Sequence, residues 1–334
     1  MASRWPIFRN FVARLLRVRD ERLKVNIGRL TLDNPVGLAA GFDKNVEAPM
    51  AYSMMGFGFA ELGSITNQEQ EGNPKPRLWR LPKDKSLIVY YGLANCGSSK
   101  AKARLANLDH HPIPFGISIA PSTAIESSQM ADDYVKTFLE LYPLADYVTL
   151  NVSCPNVARC DVFTQISFVE ELLKKITDTM KGRGINKDIF VKIGPDMEWD
   201  DLDRVIDACV IYGVAAVIVT NLVKDRSAIV SKSTREELNH PGGVSGKLIF
   251  DKSNEVIKHV YKRAGDKLKI IGVGGVFTAE DAYEKIKCGA TAVQLITGWI
   301  YGGPLTIRSI NKGLLGLLEG QGANNIVDIV GRNN

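Results

Sequence analysis

From Asn34 onward, short apolar runs alternate with amphipathic stretches of helical period. The runs fall at Val36–Ala40, Gly58–Leu62, Phe115–Ile119, Tyr147–Val152, Ile189–Ile193, Ala215–Val219, Lys269–Val273 and Ala292–Ile296. Helical patterns lie between most of them, at Asp132–Leu141, Phe168–Met180, Leu202–Tyr212, Asp251–Arg263 and Ala279–Cys288. Continuous apolar strands separated by helices predict parallel strands covered on both faces. About eight such units close a (β/α)8 TIM barrel, an α/β fold whose site lies at the C-terminal rim of the strands. A doubly wound open sheet is the competing arrangement. The barrel is preferred because polar residues and glycines follow nearly every strand.

Two connections exceed an ordinary strand-to-helix loop. The first, Ile65 to Pro114, contains Pro74, Pro76 and Pro82 and is expected to carry extra strands or turns. The second, Leu222 to Lys247, is rich in Lys, Ser and Glu and reads as a mobile flap over the rim. Ahead of the alternation, Trp5, Phe8, Phe11, Val12, Leu15 and Leu16 recur at helical spacing, with Arg4, Arg9, Arg14 and Arg17 mostly between them. Residues 1–30 therefore read as a basic amphipathic extension, and residues 31–334 as the barrel. Residues 4–19 would either pack on the domain or lie in a membrane surface, where Arg and Trp suit the interface.

Composition narrows the function classes only slightly. A chain of 334 residues, 45% hydrophobic and 24% charged, is globular with a full core. The net charge of +5 is concentrated near the N-terminus, so nucleic acid is not an expected partner. Cys96, Cys154, Cys160, Cys209 and Cys288 lack metal-site or redox-pair spacing, and so do His110, His111, His240 and His259. No metal is expected. A reducing, cytoplasmic location fits, with Cys209 and Cys288 as small buried hydrophobes on helices. The extension allows peripheral contact with the inner face of a membrane. No apolar run is long enough to cross a bilayer.

The chemistry concentrates at strand ends. In Tyr147-Val-Thr-Leu-Asn-Val-Ser-Cys-Pro-Asn156 the proline stops the strand. Two carboxamides, Asn151 and Asn156, then flank the thiol of Cys154. A carboxamide matches the alternating donor and acceptor edge of a planar heterocycle. A thiol of lowered pKa can take a proton from carbon. Lys192 stands inside an apolar strand, where an ammonium must face an anion or a polar ligand. Thr220-Asn221 ends the sixth strand, Gly272-Val-Gly-Gly275 the seventh and Thr297-Gly298 the eighth. Glycine amides after the last two strands predict a phosphate cup. With Lys44 and Lys192 opposite, the set suggests flavin mononucleotide (FMN), a lysine near the pyrimidine ring stabilising charge on the reduced flavin.

Five segments carry a family resemblance: Asn34-Pro-Val-Gly-Leu-Ala-Ala-Gly-Phe-Asp-Lys-Asn45, Lys75-Pro-Arg-Leu-Trp-Arg-Leu-Pro82, Asn151-Val-Ser-Cys-Pro-Asn156, Val191-Lys-Ile-Gly-Pro-Asp196 and Ile271-Gly-Val-Gly-Gly275. In order and register they resemble the dihydroorotate dehydrogenases. The resemblance implies an FMN-holding barrel in which a dihydropyrimidine loses a proton to a base and a hydride to flavin N5. A quinone or another acceptor then reoxidises the flavin. Carried over position by position, it assigns FMN contacts to Ala40, Gly41, Lys44, Ser64, Ser118, Asn151, Lys192, Thr220, Gly246, Gly274, Gly275, Thr297 and Gly298. It assigns substrate contacts to Lys44, Val89, Asn151, Asn156, Asn221 and Leu222, and catalysis to Cys154 as base with Lys44 and Lys192.

Three of these positions depart from the family pattern. Val89 stands where Asn is usual, Leu222 where Ser or Thr is usual, and Ser118 where Asn is usual. Segments Lys75–Pro82 and Leu87–Gly97 resemble the membrane-associated, quinone-using class, whose base is normally Ser, whereas Cys154 resembles the soluble class. The sequence therefore leaves open a paralogue acting on a less polar dihydro-heterocycle, and a barrel that keeps FMN without catalysis.

Overall fold

The computed structural model describes residues 6–108, 110–153, 166–227 and 229–334. The chain opens with helix α1 (Pro6–Leu16) and the hairpin β1 (Val25–Ile27) and β2 (Leu30–Leu32). Next come β3 (Val36–Leu38), α2 (Pro49–Met54), β4 (Phe59–Ile65), β5 (Leu78–Leu81), β6 (Ser86–Val89) and α3 (Gly97–Leu105). The middle of the chain is β7 (Phe115–Ile119), α4 (Met130–Leu141), β8 (Tyr147–Asn151), α5 (Ile166–Arg183), β9 (Asp188–Ile193), α6 (Trp199–Ile211) and β10 (Ala216–Val219). It ends with α7 (Arg235–Leu238), β11 (Gly243–Gly246), α8 (Phe250–Ala264), β12 (Lys269–Val273), α9 (Ala279–Lys287), β13 (Ala292–Leu295), α10 (Thr297–Gly302) and α11 (Thr306–Gly320).

Strands β3, β4, β7, β8, β9, β10, β12 and β13 pair in parallel and close on themselves, because β13 returns to β3 with Val293 opposite Val36. Closure excludes the open doubly wound sheet. The strands carry apolar runs because helices cover the outer face while side chains fill the inside. Inside, the Tyr147 ring stacks on Phe190 at 4.3 Å between centroids. It also covers Gly116, where a Cβ would meet the ring at 2.0 Å, so only glycine fits. Hairpin β1–β2 covers the opposite, N-terminal end: Arg29 N donates to the Asp188 carboxylate at the start of β9.

Two strand boundaries differ from expectation in a way that matters. The first strand leaves the ladder after Leu38 rather than at Ala40, so Ala39-Ala40-Gly41 is already rim. The second runs on to Ile65, with a register shift between Leu62 and Ile65. Gly63 and Ser64 therefore lie within an irregular strand rather than after it. Such a bulge re-aims a side chain, and here Ser64 meets Ser118 of β7.

The two long connections meet each other. The first carries β5 and β6, as expected, plus α3. The second is not a free flap: its β11 pairs antiparallel with β6, completing a three-stranded sheet in the order β11-β6-β5. Leu81, Ile88, Val223, Val244 and Ile249 form a small core under this sheet, separate from the barrel's. Arg226 holds the cover closed, donating to the carbonyls of Leu238, His240 and Gly242.

Helix α1 packs beside α2. Leu16 is buried and Arg17 Nε donates to Ser53 O at 2.7 Å. Phe11 and Leu15 face outward, 66% and 55% exposed. The inner face of the extension thus docks on the domain while the outer face remains apolar. Among the described residues no helix is long and apolar enough to cross a membrane. Cys209 within α6 and Cys288 just past α9 are buried thiols, and burial pushes the Cys209 pKa up to about 12.

Candidate active site

The C-terminal ends of the strands bring polar groups to one mouth. A cleft opens there. Its wall includes Ala40 after β3, Lys192 on β9, Thr220, Asn221 and Leu222 after β10, and Gly246 on β11. Gly274 and Gly275 after β12 and Thr297 and Gly298 after β13 complete it. Residues from strands far apart in sequence thus share one concavity, which is what closing the barrel accomplishes. The Gly274-Gly275 turn requires glycine: φ is 126° and 73° at the two positions, in the left-handed half that side chains disfavour.

The other predicted positions lie beside the cleft and are tied together. Asn151 Nδ2 donates to Ser64 Oγ at 2.8 Å, and Ser64 Oγ is 2.8 Å from Ser118 Oγ. Gly41 N donates to Gly63 O at 2.7 Å. The Lys44 ammonium lies 3.7 Å from where a Cβ of Gly41 would sit and 5.2 Å from the Tyr91 ring centroid. Cys154 and Asn156 lie outside the described residues.

Three groups that the sequence reading did not single out, Ser153, Tyr134 and Ser245, complete the network. Ser153 donates through its N and Oγ to Asn151 Oδ1, at 3.3 and 3.0 Å. Asn221 Nδ2 donates to Ser153 O and Oγ, both at 3.0 Å. Tyr134 of α4 donates its hydroxyl proton to Asn151 O at 2.7 Å. Ser153 thus couples the ends of β8 and β10. Its sequence signal was a polar side chain between Asn151 and Cys154 at a strand stop. On the far wall Ser245 Oγ lies 2.7 Å from Thr297 Oγ1. A strand hidden inside the second connection gave no hint of that pair.

Lys192 is buried, with Asn151 opposite it on β8 and Ile218 on β10. Below it in the barrel, Glu61 accepts from Thr149 Oγ1 at 2.8 Å. Burial pushes the Glu61 pKa above its ordinary value, while Lys192, Thr149 and Gln294 pull it back down. The lysine thus shares the interior with a carboxyl group as well as facing the cleft. Val89 and Leu222 come together at Gly243. Val89 is opposite Gly243 in the β6–β11 pairing, and a Cβ on Gly243 would stand 2.6 Å from the Leu222 Cβ. Among the described residues no group of three His, Cys, Asp or Glu side chains could hold a metal ion.

Comparison with known proteins decides what this mouth belongs to. The family model for dihydroorotate dehydrogenase matches residues 22–318. A dihydroorotate dehydrogenase (quinone) of Gloeobacter violaceus is 41% identical over 312 residues, which is 93% of this chain and 86% of that one. Another from Rhodococcus erythropolis is 38% identical over 100% of this chain and 92% of its own length. This chain belongs to the dihydroorotate dehydrogenase family.

Among solved structures, dihydroorotate dehydrogenase of Eimeria tenella in complex with ferulenol superposes with a TM-score of 0.88 at 31% identity. That match covers 98% of this chain and 95% of the other. As a dihydroorotate dehydrogenase family member, the protein is an oxidoreductase of the FMN-dependent class acting on CH–CH donors. Three of the family motifs noted in the sequence, after β3, on β9 and after β12, contribute Ala40, Lys192, Gly274 and Gly275 to the cleft wall.

Proposed function

We propose that the protein oxidises dihydroorotate to orotate on an FMN held in the barrel mouth and passes the electrons to a quinone. The observation that carries this is the meeting, in one cleft, of glycine backbone from β12 and β13 with Lys192, Thr220 and Asn221 from β9 and β10. The residues present fit the cofactor. The Gly274-Gly275 turn, with Thr297, Gly298 and Gly246, leaves a wall of backbone and hydroxyl suited to a phosphate. Ala40, Gly41 and Lys192 suit the flat ring, with Ser64, Ser118 and Asn151 behind them. FMN, when bound, supplies a two-electron acceptor at its N5 atom.

In this reading Cys154 takes the proton from the carbon next to the one that loses hydride. Asn151, Asn156 and Asn221 hold the ring's amide edge, and the Lys44 ammonium meets the substrate's carboxylate. The clasp of Asn151 and Asn221 on Ser153 supports the base assignment, because it fixes the residue that immediately precedes Cys154. Lys192 favours negative charge on the flavin's pyrimidine end. Mixing the purified enzyme anaerobically with dihydroorotate is expected to bleach its flavin absorbance. A flavin that stays yellow at millimolar substrate would reject this donor.

A second reading keeps the cofactor and changes the donor to a less polar dihydro-heterocycle. The apolar corner made by Val89, Gly243 and Leu222 favours it. The relatives that share the whole length of the chain favour dihydroorotate, and the anaerobic experiment separates the two.

The quinone assignment draws support from the names of those relatives and from the outer face of α1. Phe11 and Leu15 are exposed there, and neighbouring α2 carries Tyr52, whose ring centroid is 6.2 Å from that of Phe42. At the rim, Phe42, next to Gly41, is exposed as well, by 41%. Full-length protein is expected to pellet with anionic liposomes, and a chain starting at Val25 to stay in solution. Equal pelleting would defeat the membrane-facing role of α1.

A further inference from the structure

Behind the glycine wall of the cleft stands an ammonium group that none of the roles above uses. Lys285, on α9, is completely buried. Its stem passes under β12, where a Cβ on Gly272 would come within 2.6 Å of the Lys285 Cδ. The ammonium donates to Ser253 Oγ at 3.0 Å and to Asn254 Oδ1 at 2.7 Å, and lies 5.0 Å from the Phe250 ring centroid. The Ser253 hydroxyl passes its own proton to Val273 O at 2.6 Å. Val273 and Gly274 both line the cleft. A continuous chain of hydrogen bonds thus runs from a buried positive charge to a peptide unit of the cleft wall.

Among the described residues, the three close partners of the ammonium are neutral. A buried charge without a carboxylate partner is expensive to keep, and packing alone would be served by an apolar side chain of the same length. The charge has a use if an anion binds on the other side of the peptide. Donation to a carbonyl oxygen strengthens the N–H of the same peptide as a donor, because linked hydrogen bonds polarise one another.

We propose that Lys285 is a positioning residue for a phosphate in the cleft: its charge, relayed by Ser253 to the Val273–Gly274 peptide, makes the site select a phosphorylated flavin over the unphosphorylated one. This rests on the reading that FMN occupies the cleft. Burial brings the Lys285 pKa down to about 7. The charged and titratable groups around it act more weakly. The Cys288 thiol and Asp281 at the two ends of α9, and Asp251 on α8, raise the pKa, while Lys247 ahead of α8 lowers it. A bound phosphate raises it further. The preference is therefore fully present below about 7, where the ammonium is charged even without the anion. It is lost as pH rises through the higher pKa of the phosphate-bound state.

The test is competitive exchange. Holoenzyme is incubated in mixtures of FMN and riboflavin, separated from free flavin, and the two retained flavins are quantified. Lys285→Met is expected to lower the FMN-to-riboflavin ratio by about tenfold, equivalent to one pK unit of interaction. Asn254→Asp, which neutralises the ammonium without shortening it, is expected to do the same. In the wild type the ratio should fall between about pH 7 and 9.5, where the flavin phosphate is already doubly charged. A ratio unchanged in either folded variant, or flat across that range in the wild type, overturns the proposal. Should Lys285→Met fail to fold, Asn254→Asp and the wild-type pH series still decide. Retention of neither flavin by the wild type would instead defeat the flavin reading of the cleft.

Discussion

Cys154→Ala is expected to slow the anaerobic bleaching of the flavin by dihydroorotate by about 10²–10⁴-fold, the usual contribution of a positioned general base. Removing a proton from carbon requires an acceptor at the reacting atom, and alanine has none. Flavin content should be unchanged, since Cys154 is not among the groups proposed to hold the cofactor. Cys154→Ser should fall between the two proteins and recover as pH rises, because a hydroxyl must lose its proton to act. In the wild type the bleaching rate should climb with pH until the thiol is ionised, ordinarily near ~8.5 or lower beside cations. The sign follows from the role: the protonated thiol cannot accept a proton. Bleaching by Cys154→Ala at the wild-type rate rejects the base assignment and leaves the cleft intact.

The second large effect concerns the cover over the mouth. Asp84, at the turn between β5 and β6, accepts hydrogen bonds from Ser231 Oγ (2.7 Å), Lys232 N (2.8 Å), Ser233 N (3.1 Å) and Ser233 Oγ (2.6 Å). Burial by itself would raise its pKa, but bonds from Ser233, Lys232 and Ser231 outweigh that and hold the carboxyl below its ordinary 3.8. A lowered folded pKa means that this stabilisation is complete above the ordinary value and is lost as pH falls through the folded one. The latch is thus fully formed at neutral pH. Asp84→Ala leaves two backbone N–H groups without their acceptor and should cost roughly 2–4 kcal/mol in closure of residues 222–247. Hydrogen exchange at residues 231–238 should accelerate while the barrel's protection is kept, because the sheet rests on its own small core. Wild-type exchange at these amides would show that the β6–β11 pairing and Arg226 keep the cover shut without this latch.

The barrel was readable because closure demands strands buried on both sides, and such strands spell themselves out as unbroken apolar runs. The eight runs from Val36 to Ile296 are the eight barrel strands, with ends displaced by a few residues. The ends were the weaker part. A bulge such as that between Leu62 and Ile65 depends on the partner strand, and no local residue pattern announces it. Sequence periodicity also missed β11, since Gly243-Val-Ser-Gly246 has one large apolar side chain and becomes a strand only when β6 is beside it. Lys192 was recognisable as out of place in an apolar strand. Lys285 was not, because on a helix a lysine is ordinarily a surface residue, and its burial is decided by β12 and α8 closing over it.

The order of elements, the rim at which polar groups collect, the family and the residue types of the mouth were determined by the sequence alone, because these follow from local periodicity and from motifs continuous in the chain. Tertiary structure decided which side chains touch: that Ser153 joins Asn151 to Asn221, that Ser64 meets Ser118, that the second connection is latched by Asp84, and that an ammonium stands behind Gly274. Most of those contacts join residues far apart in the chain, Ser64 with Ser118 across 54 positions and Asp84 with Ser233 across 149. Their formation is governed by the closing of the barrel, a non-local event that no stretch of sequence contains.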